Sequence, residues 1–178
     1  MKLLHGFALF CLILLLPGCE ERLKPAVSGE SPTDAPPAQE SWGTTVAFSD
    51  SGETRAILKA GHVSVYPERG YTILNGGVQV DFFDRSGAHS SVLTSDSGWV
   101  NDLTHDLEAI GTVKVVSDSG NTIRTERLDW DNARRLIHSE SYVTIKSPTE
   151  EIQGEGFESN EVLTRYRIFH VKGTTSVK

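Results

Sequence analysis

The sequence predicts an all-β domain of short antiparallel strands. Two observations carry that prediction. From Val46 onward apolar residues alternate with polar ones more often than they recur at helical spacing, and turn signals cut the alternation at intervals of roughly 8 to 12 residues. His62-Val63-Ser64-Val65-Tyr66 is the first clear run, ended by Pro67-Glu68-Arg69-Gly70. Gly77-Val78-Gln79-Val80-Asp81-Phe82 follows, between Asn75-Gly76-Gly77 and Asp84-Arg85-Ser86-Gly87. Leu107-Ala109-Gly111-Val113-Val115 is the longest run and stops at Asp118-Ser119-Gly120-Asn121. Ile137-Ser139-Ser141-Val143-Ile145 keeps the same period, with small residues in its middle, and ends at Lys146-Ser147-Pro148. Strands of this kind build a sandwich, a barrel or a jelly roll. Asp102 to Ile110 and Glu126 to Ile137 would also fit short helices, but each runs straight into a strand pattern of the same parity.

A different composition precedes the strands. Lys2 supplies a positive start, Phe7 to Leu16 is an unbroken apolar run of ten residues, and Leu16-Pro17-Gly18-Cys19 follows at once. Ten residues are too few to cross a hydrocarbon core, which takes roughly 20 in a helix, so residues 1–18 read as a signal peptide. The LPGC sequence resembles a bacterial lipobox, with Pro17 unusual at its position. It makes Cys19 the expected site of acylation (palmitate or a similar chain), against ordinary secretory cleavage that leaves an accidental thiol. Processing there removes Cys11 and blocks Cys19, which leaves no thiol for a disulfide, a metal site or a nucleophile. From Glu20 to about Ser41 the chain turns to Pro, Ser, Glu and Ala, a composition that cannot bury enough surface to offset its ordering entropy. Residues 19–45 are therefore expected to form a lipidated tether, 46–173 the β domain, and 174–178 a tail.

Charge excludes one class of function. The chain carries 17 Lys and Arg against 24 Asp and Glu, a net charge of −7, and loss of residues 1–18 makes it −8. A nucleic-acid partner calls for a clustered basic footprint, which is missing. His62, His89, His105, His138 and His170 are scattered, with no spacing that would gather them on one strand or helix as metal ligands. No Gly-x-Ser-x-Gly elbow occurs. Asp81 with Asp84, Asp129 with Asp131, and Glu150-Glu151 with Glu155 could in principle supply glycosidase acid and base pairs, but acids flanking turns on a soluble surface are the commoner case. Gly154-Glu155-Gly156 is too short to cradle a phosphate and reads as a bulge or a close strand crossing. No catalytic residue, cofactor or metal is expected.

A phrase recurs at a spacing near 30 residues. Leu93-Thr94-Ser95-Asp96-Ser97-Gly98-Trp99, Ile123-Arg124-Thr125-Glu126-Arg127-Leu128-Asp129-Trp130 and, more loosely, Ile152-Gln153-Gly154-Glu155-Gly156-Phe157 each pair an aliphatic residue with a small or hydroxyl residue two positions on. Stacked strand-turn-strand units would produce such a repeat. Parity then sets the faces: Val63 and Val65; Val78, Val80 and Phe82; Leu107, Val113 and Val115; and Ile137, Val143 and Ile145 should look inward together. Ile123, Leu128, Ile152 and Phe157 join them through the repeated phrase. The last strand, read as Val162 to Val171, leaves two sets in competition: Val162, Tyr166 and Ile168, or Leu163, Phe169 and Val171. Arg165 and Arg167 could solubilise that edge or meet lipid phosphates.

The series Gly111-Thr112-Val113-Lys114-Val115, Gly120, Ile123 to Asp131, Ile137-His138-Ser139, Val143-Thr144-Ile145 and Ile152 to Phe157 is similar to the pattern of the LptC family, periplasmic components of lipopolysaccharide export that share the OstA-like fold with the bridge protein LptA. Many members keep an uncleaved transmembrane helix where this chain has a lipobox-like end. The resemblance implies an antiparallel β jelly roll shaped as an open trough, whose inner-face residues named above shield acyl chains. It implies a place in the periplasm on the inner membrane, an inner-membrane LptB/LptF/LptG-like transporter that loads lipopolysaccharide, and an LptA-like partner that receives it. Tyr166, Ile168 and Phe169 would then lie on a strand edge offered to a partner. A closed β-sandwich lipoprotein that only docks partners stays open as the alternative.

Overall fold

The computed structural model describes residues 36–160 and 162–176. Residues 1–35, with the signal segment, Cys19 and most of the expected tether, lie outside them.

Ten strands follow one another: β1 Gln39–Asp50, β2 Glu53–Tyr66, β3 Tyr71–Phe83, β4 His89–Ser95, β5 Ser97–Asn101, β6 Leu107–Ser117, β7 Thr122–Asp131, β8 Leu136–Lys146, β9 Glu150–Asn160 and β10 Tyr166–Ser176. A 3₁₀ turn, Pro67–Arg69, joins β2 to β3. All pairings are antiparallel and follow chain order, except that β4 and β5 share one lane between β3 and β6. The all-β prediction holds, and both stretches that might have been helical are strand and turn: residues 102–106 turn before β6, and Glu126 to Ile137 spans β7, a turn and β8.

Two boundaries differ from expectation. β1 begins at Gln39, inside the stretch assigned to the tether, and β10 runs to Ser176. Both are edge strands, where one flank meets solvent and apolar alternation is weak, so composition alone hides them. At the C-terminal end, Val162 to Arg165 is a turn, and the strand starts at Tyr166.

The sheet is creased along one line. Asp96 separates β4 from β5, and pairing skips around Gly111 and Thr112 in β6, around Glu126 in β7, around Glu140 and Ser141 in β8, and around Gly156 in β9. Asp96, Gly111, Glu126, Ser141 and Gly156 stand fifteen residues apart, so the 30-residue phrase is one pair of strands with a bulge in each. A bulge leaves a backbone group unpaired and bends its strand. Here hydroxyls take up the spare groups: Ser139 Oγ donates to the Arg127 carbonyl at 2.6 Å, Thr125 Oγ1 to the same oxygen at 3.2 Å, and Ser95 Oγ to the Ser97 carbonyl at 2.9 Å. The hydroxyl residues of the first two phrases, Ser95 and Thr125, thus stand at the crease. Beside it, Asp96 Oδ2 accepts from Thr112 N at 2.8 Å and Thr112 Oγ1 at 3.0 Å.

Bent at the crease, the sheet closes on its apolar face. Phe82 of β3 and Trp130 of β7, with two lanes of the sheet between them, meet edge to face with ring centroids 5.2 Å apart. Between them lies one apolar cluster running from Ala56, Leu58 and Val63 on β2 to Phe157 on β9. The architecture is an antiparallel β jelly roll in which the two flanking strands, β1 and β10, each keep one unpaired edge.

One turn has a resolved acid dependence. Asp84, between β3 and β4, accepts from Ser86 Oγ at 2.6 Å, Ser86 N at 2.8 Å and Ala88 N at 3.1 Å. Above all the Ser86 hydroxyl, with the turn amides, holds its carboxyl below the ordinary 3.8. A carboxylate with a depressed folded pKa stabilises above its unfolded value and loses that contribution as pH falls through the folded value. Carbon-detected NMR titration should therefore show Asp84 protonating below pH 3.8, with the Ser86 and Ala88 amide signals moving in the same step; an Asp84 midpoint at or above the unfolded value would contradict it.

Candidate functional site

The inner face is built by parity, and the crease resets that parity without emptying the face. On β3, Val78, Val80 and Phe82 point inward in strict alternation; on β7, Ile123 and Thr125 do so before the bulge and Leu128 and Trp130 after it. Of the expected inner-face residues, Val63, Val78, Val80, Phe82, Leu107, Val113, Val115, Ile123, Leu128, Ile137, Val143, Ile145 and Phe157 are buried. Val65 is half-buried and packs against the cluster. Ile152 is half-buried as well, paired with inward Ile145 at the end of β9. Ala56, Leu58, Leu74, Leu93, Val100, Ala109 and Trp130 belong to the same surface and were missed. Trp130 had a readable signal, since it stands two residues from Leu128 on one strand.

β10 resolves the two competing sets. Tyr166 and Ile168 lean onto the core, and Tyr166 stands 6.5 Å from the Phe157 ring. Burial first, then Glu150, raises the Tyr166 hydroxyl above its usual pKa. Phe169 and Val171 face out, 52% and 58% exposed. Leu163 is buried, but from the turn before the strand. Gly154 and Gly156 mark the close crossing anticipated there. A side chain on Gly154 would strike the β10 backbone at His170, and one on Gly156, at φ +75°, would strike the Phe169 ring.

The ionisable groups are dispersed, most of them on the outside, with Glu108 buried. His62 stacks on Trp42 and meets Glu40 at 3.0 Å; His89 meets Asp118 at 2.9 Å. Asp81 pairs with Lys59, Asp131 with Arg134, and Glu155 with Lys172. Trp99 Nε1 donates to Glu108 Oε2 at 2.6 Å, and Arg127 reaches the same oxygen at 3.0 Å, a strap across β5, β6 and β7 that the sequence did not announce. Among the described residues no group of three His, Cys, Asp or Glu side chains is placed to hold a metal ion.

Between β1 and the turns that precede β6 and β8 lies a cleft of about 590 Å³, lined among others by Val46, Ala47, Phe48, Arg55, His105 and Arg135. Of these, Phe48 packs against the apolar cluster.

A crease-bent antiparallel sheet with a continuous apolar inside and two free edges is the form that the sequence resemblance implied. The family model described as "Lipopolysaccharide-assembly, LptC-related" matches residues 12–176. The chain belongs to the LptC family. Its role therefore lies in lipopolysaccharide export, and the inner face, the two edges and the cleft are the features of this LptC-family domain that such a role can use. No curated protein matches the chain. Among the described residues no helix is long and apolar enough to cross a membrane.

Proposed function

We propose that the domain carries the acyl chains of lipopolysaccharide along its inner face, taking the lipid from an inner-membrane LptB/LptF/LptG-like transporter and passing it to an LptA-like bridge. The observation that supports this reading is the unbroken apolar surface from β2 to β9, set between two strands whose outer edges are unpaired. Free edges are normally a hazard, and a protein that assembles by strand addition keeps them pairable. β10, with Phe169 and Val171 exposed beside its free edge, is the surface offered to a partner such as the bridge protein. Acylated Cys19 ties the domain to the outer leaflet of the inner membrane, in the periplasm.

The inner face is packed on itself, and an arriving acyl chain must part the two sides at contacts such as Phe82 with Trp130. Its hydrophobic cost is small, because apolar side chains exchange one apolar neighbour for another and little surface is exposed to water. That same packing favours the competing reading, a closed β-sandwich that acts only by docking partners.

Photo-crosslinking in cells separates the two. A photoreactive residue at Val80, Val113 or Val143, which are 1%, 2% and 0% exposed, should capture lipopolysaccharide on the purified protein. The same residue at Gln79 or Lys114, on the opposite face, should not. Adducts at none of the three inward positions, in a folded and membrane-attached chain, would leave the docking reading standing.

A further inference from the structure

We infer that the Trp130 indole is a specificity-determining contact of the inner face, its N–H donating a hydrogen bond to the carbonyl oxygen that heads a carried acyl chain; the inference rests on the trough reading above. Trp130 is 2% exposed, and its Nε1 is buried with no hydrogen-bond partner. A buried indole N–H ordinarily finds an acceptor, because an unmet one keeps the full desolvation penalty of the group. Elsewhere this chain follows that rule. Trp99 Nε1 donates to Glu108 at 2.6 Å, and the buried hydroxyls of Ser95, Ser139 and Ser159 each donate to a backbone carbonyl. Arg55 Nε is the other unmet buried donor among the described residues, but that guanidinium is already held through Nη1 by the Asp84 carbonyl. The indole has a single polar atom and no second bond to hold it.

The neighbours of Trp130 do not supply an acceptor. It stands in register with Leu107 on β6 and Ile137 on β8, both buried aliphatics, and its ring meets Phe82 across the core. An aromatic face is a weak acceptor. A water held in an interior site makes about three hydrogen bonds, and the side chains of Leu107, Ile137 and Phe82 have no nitrogen or oxygen to offer it.

The ligand class follows from a lone donor in an apolar surround. The Phe82–Trp130 contact is one that an arriving acyl chain must part, so the unmet donor lies where the chain passes. A bare hydrocarbon would fill that space and leave the N–H unmet. A fully polar ligand would meet the N–H and exchange its water for Val80, Phe82 and Leu128. An acyl chain satisfies both, with its carbonyl oxygen on Nε1 and its tail on the apolar neighbours. Apolar contacts are non-directional and leave a chain free to slide, whereas one hydrogen bond at a fixed residue sets how deep the chain lies.

The test uses the full chain, labelled with nitrogen-15 at tryptophan, in non-ionic detergent. Two probes are compared, lipid A and hexadecane, and the indole signals are assigned with Trp42→Phe and Trp99→Phe, which leave Trp130 in place. Lipid A should move the Trp130 indole proton downfield, the direction of a new hydrogen bond to oxygen. Hexadecane, which parts the same rings without bringing an acceptor, should not. With a photoreactive residue at Val80, a folded Trp130→Phe chain should give about tenfold less lipid A adduct than the parent and the same hexadecane adduct, the scale of one buried donor losing its acceptor. Equal indole shifts for the two probes, or a folded Trp130→Phe chain that loses both adducts alike, would overturn the donor site while the trough stood. No lipid A adduct at Val80 in the parent chain would overturn the trough reading and the donor site with it.

Discussion

Gly111→Ala should cost the domain about 3 kcal/mol or more of stability, a large effect for one added methyl group, because it strikes the crease. The residue sits at φ +98°, where a side chain is strained by about 1–3 kcal/mol. Its new Cβ would also run into the Asp96 carboxylate, the group that accepts from both Thr112 N and Thr112 Oγ1. Displacing that carboxylate forfeits charge-assisted hydrogen bonds that are individually worth about 1.5–3 kcal/mol. Urea denaturation checks the total, and a double-mutant cycle checks the cause. Asp96→Ala removes the obstacle, so Gly111→Ala should cost less in that background, by about 1 kcal/mol or more. Strict additivity would show that backbone strain alone accounts for the loss.

A second large effect separates the two faces of the β9–β10 pair. Phe157→Ala should destabilise by about 3–5 kcal/mol, since the ring is fully buried and its removal leaves a cavity beside Tyr166 and Ile168. Phe169→Ala, on the facing strand but 52% exposed, should cost under about 1 kcal/mol. The order reverses for assembly. Phe169→Ala should weaken capture of an LptA-like partner by the β10 edge, measured by pull-down with the purified bridge protein. A similar melting temperature for the two variants would refute the assignment of faces. Unchanged capture by Phe169→Ala would move the partner contact away from this part of β10.

Both effects turn on features that the sequence displayed without explaining. The period-two runs around Val80, Val113 and Val143 named the inner face correctly, because burial on one side of a sheet leaves a direct trace in the residue pattern. Ile123 and Leu128 lie on opposite parities, and the period alone would have put one of them outside. The repeated phrase put both inside, and the structure supplies the reason: the bulge between them shifts the phase. The small or hydroxyl residue two positions after the aliphatic in each phrase gains a physical reason in the first two copies, where Ser95 and Thr125 satisfy carbonyls at the crease, as Ser139 does on β8. The edge strands were harder. β1 was partly read as tether, and the faces of β10 stayed undecided, because an edge strand is covered on one flank only and its alternation carries less information.

From the sequence by itself came the β class, the line of bulges as a repeat, the inward residues of the central strands and the resemblance to the LptC family. Each is local in the chain: strand periodicity, turn chemistry and a repeated phrase are all written in consecutive residues. Only the tertiary structure decided that Phe82 meets Trp130, that β4 and β5 share a lane, and that Val46, Phe48, Arg55, His105 and Arg135 surround one cleft. Those residues come from segments up to about ninety positions apart, and they are brought together by the direction in which the creased sheet bends, a property of the assembled strands that no single one of them encodes.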